Sequence, residues 1–247
     1  MNKLLCIQFR SDAISIEQER SCIKKQLGDT VDTDFINALD AAIPWEQPEQ
    51  VIANYSGMIL GGSGEFDFDG NRSEADANRK ISYTILQRLT PFLDTLFKQD
   101  IPTFAICYGH QLIGAYAGVP VVSDNTQKKT GTFSVHKKVV ASSDPIFCEL
   151  PETVLAQYGH KDVLTDVPEQ AVLLMAGDEQ CQVSALRYGD NIYTVQFHPE
   201  LTAADMIARL KNSPDYLPEG VIAEELIKDD ERVNKLLSNF VQRVAGV

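Results

Sequence analysis

Cys107 stands where an apolar, β-prone run, Ile101-Pro-Thr-Phe-Ala-Ile106, gives way to Tyr108-Gly109-His110-Gln111 and a helix-compatible stretch to Ala117. Pro102 suits the beginning of a strand, and Gly109 allows a sharp turn. A strand, a turn and a helix in that order put a sulfur at the carboxyl edge of a sheet, beside helix N-terminal N–H groups. Such groups favour an anion, and the thiolate is the form of cysteine that attacks a carbonyl carbon. A nucleophile of this kind needs a base, and the base needs a group to orient it. A second apolar strand, Ile192 to Phe197, ends at His198, and Glu200 follows across Pro199. The His-x-Glu spacing lets the carboxylate fold back onto the imidazole nitrogen that faces away from the sulfur. There it would fix the tautomer and stabilise the imidazolium. Cys107, His198 and Glu200 are the candidate catalytic set.

A third stretch, Gly57-Met-Ile-Leu60, runs into Gly61-Gly62-Ser63-Gly64. Attack on an amide creates an oxyanion, which backbone N–H groups stabilise only where no side chain blocks close approach. The amides of Gly61 or Gly62, with that of Tyr108, are the expected donors. Losing one such donor typically costs about 100- to 1000-fold in rate. An ordinary turn is the plain alternative. A nucleotide phosphate cradle is disfavoured, because no Gly-Lys-Ser/Thr follows.

The order strand-Gly-Gly-x-Gly, then Cys-x-Gly-x-Gln on a strand–helix turn, then Gln196-Phe-His-Pro-Glu200, resembles the class I glutamine amidotransferase family, with a likeness to the glutaminase domain of GMP synthase and its free-standing relatives. The resemblance spans nearly the whole chain, from the opening strand at Lys3 to Phe9 through the helix after Glu200. It implies a flavodoxin-like α/β fold and a γ-glutamyl thioester on Cys107 with release of ammonia. His198 would be base and acid, and Glu200 would orient it. By the same likeness Gly109 and Gln111 belong to the substrate side of the site. Residues 157–163, Gln-Tyr-Gly-His160-Lys161-Asp162-Val, take the place of the family's Ser-His-Gly-Asp loop, which grips the amino-acid end of glutamine; His160 and Asp162 align, but Lys161 replaces a glycine. The family's Gly-Gly-Pro is also absent, replaced by Gly62-Ser63-Gly64-Glu65 and the acidic, aromatic run Phe66-Asp67-Phe68-Asp69-Gly70. These departures leave the nucleophilic set intact and bear on which acyl substrate fits.

Composition narrows the rest. The 247 residues suit one α/β domain spanning 1–247, and 44% apolar content suffices for a buried core. With 22 basic against 35 acidic residues the formal net charge is −13, which argues against nucleic acid or anionic membrane as partners. No apolar run reaches the roughly 18 to 20 residues of a membrane span, and the first ten residues read as a strand rather than a signal peptide. Five cysteines without a Cys-x-x-Cys pair fit a reducing, cytoplasmic compartment and neither a disulfide framework nor a zinc site. No cofactor and no metal is expected. The partners implied are a small-molecule substrate, L-glutamine or another γ-glutamyl compound, and a separate synthase subunit carrying the ammonia acceptor.

The elements that must position these groups alternate as strands and helices, the signature of a mostly parallel central sheet flanked by helices, with a strand-rich C-terminal half. Helices are expected over 14–27, ended by Gly28, from about Ser73 to Leu89, and separately from Thr90-Pro91 to Gln99. Residues 187–191 suit a hairpin turn, and 221–244 a core-packing helix. Cys6, Cys22, Cys148 and Cys181 read as packing residues, His110 as a wall beside the nucleophile, and His136 as a solvated surface group. His160 is either a loop hydrogen-bonder or a substrate contact. Glu65, Asp67 and Asp69 lack the spacing of a calcium loop and read as a solvated acidic loop near the pocket mouth. Two other functions stay open: a γ-glutamyl peptide hydrolase or related acyl transferase, and a non-catalytic regulatory or binding module.

Overall fold

The strands carry apolar side chains on both faces, so a helical layer is needed on each. The computed structural model describes residues 3–28, 31–212, 216–217 and 220–245. In chain order the elements are β1 (Lys3–Gln8), α1 (Ala13–Leu27), β2 (Asp32–Asn37), α2 (Pro48–Ile52), β3 (Gly57–Leu60), α3 (Ala77–Gln99), β4 (Thr103–Ile106), α4 (Tyr108–Tyr116), β5 (Val121–Ser123), β6 (Lys129–Lys137), β7 (Thr153–His160), β8 (Asp162–Leu164), β9 (Ala171–Gly177), β10 (Ala185–Tyr188), β11 (Ile192–Val195), α5 (Ala203–Asn212), α6 (Ala223–Leu226) and α7 (Lys235–Ala245). The main sheet has the order β2-β1-β3-β4-β11-β10-β9-β6-β7, and β5 pairs with β8 separately. From β2 to β11 the strands are parallel; β10, β9, β6 and β7 extend the sheet antiparallel. This is the expected α/β sheet, with the strand-rich C-terminal half as its antiparallel wing.

Alternation along β1 divides the interior. Leu4 and Cys6 face α1 and α7, where Ile23, Leu237 and Phe240 are buried with them. Leu5 and Ile7 face the other side, against Leu89, Phe92 and Leu96 of α3. Each such buried side chain contributes roughly 1.5–3 kcal/mol. The two layers pin β3, β4 and β11 side by side, and the catalytic candidates lie just beyond their carboxyl ends.

The structure corrects three expectations about the helices and the cysteines. Residues 77–99 form one helix, not two, and Pro91 lies inside it. The N-cap is Asp76, whose carboxylate accepts from the amides of Asn78 and Arg79. Thr90 does not cap; its hydroxyl donates back to the Leu86 carbonyl at 2.8 Å. Ile85, Leu89, Phe92, Leu93 and Leu96 are buried on both sides of the proline, and this continuous stripe outweighs the hydrogen bond that Pro91 forfeits. The tail is not one helix either: α6 and α7 are separated by a stretch that straps the sheet edge. There Asp230 accepts from the Leu155 amide, and the Lys228 amide donates to Thr132 Oγ1. The backbone and side chains of 228–230 thus find partners on β6 and β7, which also covers an edge strand. Leu236, Leu237 and Phe240 of α7 pack into the core as expected. Finally, Cys148 is exposed, unlike Cys6, Cys22 and Cys181; in its turn Ile146, Phe147 and Leu150 take the inward positions.

Candidate active site

β4 ends at Ile106, and Cys107 bridges to α4 with φ 51° and ψ −98°. That region is costly for a residue with a Cβ, by about 1–3 kcal/mol, and it turns the side chain out of the strand direction at the head of α4. The Cys107 amide is fixed by the Val195 carbonyl at 2.8 Å. Its sulfur lies 3.6 Å from Gln196 Nε2 and 4.0 Å from the Gly159 carbonyl. Tyr108 opens α4, where the first N–H groups have no partner within the helix.

His198 and Glu200 follow β11, the neighbour of β4. Glu200 Oε1 accepts from His198 Nδ1 at 2.7 Å, and both side chains are buried. Arg209 of α5 places Nη1 3.3 Å from the same oxygen. The His198 amide donates to the Gln157 carbonyl of β7 at 2.8 Å, and Asn234 Nδ2 donates to the carbonyls of Pro199 and Leu201 at 2.6 and 3.0 Å. Burial alone would lower the imidazole pKa, but Glu200 and Cys107 outweigh it and raise His198 above the ordinary histidine value. Burial would raise Glu200; His198 and Arg209 instead hold it below the usual carboxylate range. An imidazolium–carboxylate pair is the favoured state of this arm.

The glycine segment behaves differently from expectation. The Gly61 amide donates to the Ile7 carbonyl at 2.9 Å, continuing the β1–β3 ladder. The Gly62 amide donates to Glu19 Oε1 at 2.9 Å. Neither expected oxyanion donor on this loop is open; Tyr108 stands at the first position of α4. Gly109 is also a correction, because its hydrogen bonding is internal. Its amide donates to the Gly61 carbonyl at 3.1 Å, and a Cβ there would sit 2.7 Å from the Leu60 oxygen. It is a close-approach glycine that lets α4 meet the end of β3.

The residues expected to hold the amino-acid end of a substrate are likewise engaged with the protein. Gln111 Nε2 donates to the Asp162 carbonyl at 2.8 Å and to Gln196 Oε1 at 3.2 Å. The Asp162 carboxylate accepts from the amides of Asp69 and Gly70 at 2.8 and 2.7 Å, and burial raises its pKa. The reason lies in the acidic run, which is not a solvated loop. Phe66, Asp67 and Phe68 are buried, Asp67 pairs with Arg72, Asp69 accepts from the Ser123 amide, and Glu65 accepts from the amides of Ser11 and Asp12. His160 Nδ1 lies 3.1 Å from the Asp162 carbonyl, and burial pushes its pKa down to about 3, so the ring is neutral. Its Nε2 is buried and without a partner among the described residues. His110 is walled in, neutral, and 2.7 Å from the Thr194 hydroxyl. His136 is half-exposed and pairs with Asp178 and Thr153.

A cleft of about 220 Å³ opens beside this centre, lined by Arg10, Ser63, Gly64, Gly159, His198 and Tyr216 among others. Sequence reasoning assigns no role to Arg10, Glu19, Gln196, Arg209 or Asn234. Only Gln196 carries a local signal, a polar residue at the end of an otherwise apolar strand. No group of three or more His, Cys, Asp or Glu side chains among the described residues could hold a metal ion. No described helix is long and apolar enough to cross a membrane.

Cys107 stands on the turn after β4, and the His198–Glu200 pair follows the adjacent β11. The sequence model of Glutamine amidotransferase class-I matches residues 43–212, and the chain belongs to that family. Among its relatives, a subunit of the glutamine-hydrolyzing GMP synthase of Methanopyrus kandleri is 29% identical over 155 residues, 62% of this chain and 71% of that protein. The glutamine-hydrolyzing GMP synthase of Bacillus mycoides is 31% identical over 154 residues, 62% of this chain but 24% of that longer protein. A solved glutamine amidotransferase from Thermotoga maritima shares the fold with a TM-score of 0.73 at 20% identity, covering 99% of this chain and 98% of that one.

Proposed function

We propose that the chain is a glutaminase that cleaves the γ-carboxamide of L-glutamine through a thioester on Cys107. Cys107 Sγ bonds to the amide carbon as the carbonyl π electrons move onto oxygen. The tetrahedral species then collapses: the C–N bond breaks, and His198 gives its proton to the leaving nitrogen, which departs as ammonia. A water deprotonated by His198 attacks the thioester, glutamate leaves, and the sulfur is restored. Glu200 keeps Nε2 of the imidazole directed to the reacting atoms, and His198 and then Arg209 keep Glu200 ionised. The observation that carries this reading is the buried 2.7 Å pair of His198 and Glu200 beside a cysteine held at positive φ on a strand–helix turn.

Relatives that each form one subunit of a glutamine-hydrolyzing GMP synthase support use of the ammonia on a separate synthase subunit. An acidic chain with five free cysteines supports a cytoplasmic location, and the continuous sheet supports one domain over 1–247. The test is ammonia release from L-glutamine by wild type and Cys107→Ala. Release that depends on Cys107 is expected; equal release by both chains would sink the assignment.

A second reading, a γ-glutamyl peptide hydrolase, is favoured by one observation. The carboxylate of Asp162 and the amide nitrogen of Gln111, which by resemblance hold glutamine, are bonded within the protein. Cys107-dependent cleavage of γ-glutamyl amines, with no turnover of free glutamine, would select it.

A further inference from the structure

Beside the glycine loop lie two buried charges that the histidine arm does not use. Arg10 and Glu19 are 5% and 1% exposed. Arg10 Nη2 donates to Glu19 Oε1 at 3.1 Å, and Gln8 Nε2 donates to Oε2 at 2.9 Å. The same Oε1 takes the Gly62 amide, while Ile7 takes that of Gly61. A carboxylate therefore sits where the loop would otherwise receive negative charge. Two like charges in one poorly solvated site disfavour each other, so an oxyanion formed here needs a positive group nearby.

Arg10 is placed to supply it. It lines the cleft together with His198. Its Nη2 is 3.3 Å, and His198 Cε1 is 3.4 Å, from the point that a Cβ on Gly62 would occupy. Guanidinium and imidazole thus flank the same loop glycine. A guanidinium has five N–H donors. Among the described residues one hydrogen bond engages them, and Nε is buried without a partner. Nη2 faces Gly62 and Nη1 lies 3.8 Å from the point that a Cβ on Gly64 would occupy, so the guanidinium N–H groups at this loop are the ones an anion could meet.

We propose that Arg10 is a further catalytic residue: its guanidinium, together with the Tyr108 amide, stabilises the oxyanion in place of the Gly62 amide. The proposal deepens the thioester reading and rests on it. No proton moves in this role. As the bond from Cys107 Sγ to the amide carbon forms, the electron pair displaced onto oxygen is met by guanidinium N–H groups. Glu19 is a positioning residue that fixes the guanidinium and turns the Gly62 N–H inward.

The experiment compares wild type, Arg10→Lys, Glu19→Gln and the double variant Arg10→Gln with Glu19→Gln. The double variant replaces two charges by a neutral hydrogen-bonding pair, so no lone charge is left buried. Glutamine turnover is measured beside alkylation of Cys107 by iodoacetamide, a displacement that forms no oxyanion. In the double variant kcat is expected to fall about 100-fold or more, with KM within about threefold and alkylation nearly unchanged. Arg10→Lys is expected to lose about tenfold, since an ammonium keeps the charge but not the planar reach. A double variant as active as wild type, or Glu19→Gln more active than wild type, would overturn the proposal and make the Gly62 amide the donor that Glu19 masks. If the double variant does not fold, Arg10→Lys decides, and an unchanged kcat there overturns the proposal. Wild type with no Cys107-dependent ammonia would overturn the thioester reading itself.

Discussion

On the His198 side of Cys107 the candidate groups are side chains carried at strand ends, whereas on the glycine side the sequence offers backbone amides that neighbouring elements engage. The histidine arm is heavily braced: Glu200 meets the ring, Arg209 meets Glu200, and Asn234 ties down both carbonyls around the turn. The glycine segment has the residues the chemistry asks for, yet its amides are taken by Ile7 and Glu19. Identity and position in sequence define the first region. In the second, what a residue can offer depends on the direction of an N–H, and the Gly62 N–H is turned to a carboxylate contributed by α1. A motif written in side chains is therefore a stronger statement than one written in glycines.

Breaking the histidine arm has the largest expected effect. In the proposed mechanism His198→Ala removes base and acid together, so kcat should fall by at least about 10⁴-fold. Steady-state ammonia release measures it, and a loss under tenfold would move the base elsewhere.

Glu200→Gln tests the electrostatics of the same arm through stability. Glu200 has a lowered folded pKa, so its contribution is in place above the ordinary carboxylate value, about 4.3, and fades as pH falls through the folded value. His198 is raised, so its contribution is in place below about 6.5 and fades as pH rises through the folded value. The Tm advantage of wild type over Glu200→Gln should therefore be widest between about pH 4.3 and 6.5 and narrow on both sides. Breaking a buried pair costs about 3–5 kcal/mol, on the order of 10 °C for a chain of this size. A Tm difference flat across pH would contradict the pairing.

A smaller effect is expected one step further out. Asn234→Ala leaves the Pro199 and Leu201 carbonyls without their buried donor, at a cost of about 1–3 kcal/mol. It should lower kcat roughly tenfold with little change in KM, through looser placement of His198. Equal kcat in the two chains would show that the turn holds itself.

What can be read from sequence follows the same division. Cys107, His198 and Glu200 are legible because each ends or follows an apolar strand, and parallel pairing of β4 with β11 brings two such ends together. Arg209 and Asn234 are not, because a helix face and a tail turn give no local sign of what they reach. The motif does not foretell what Asp162 meets, because the acidic run supplies two backbone amides that bind its carboxylate. The break expected at Pro91 fails because local propensity loses to a buried stripe. The tail misleads because helical spacing over 221–244 hides the strap that β6 and β7 select.

The most direct test of the central claim is the intact mass of the chain, acid-quenched during turnover of L-glutamine, followed by mapping of the modified peptide. A covalent mechanism predicts an increment of one glutamyl group on the peptide containing Cys107, lost on mild alkaline hydrolysis and absent from Cys107→Ala. An increment on another residue, or the same increment on the Cys107→Ala chain, would contradict it.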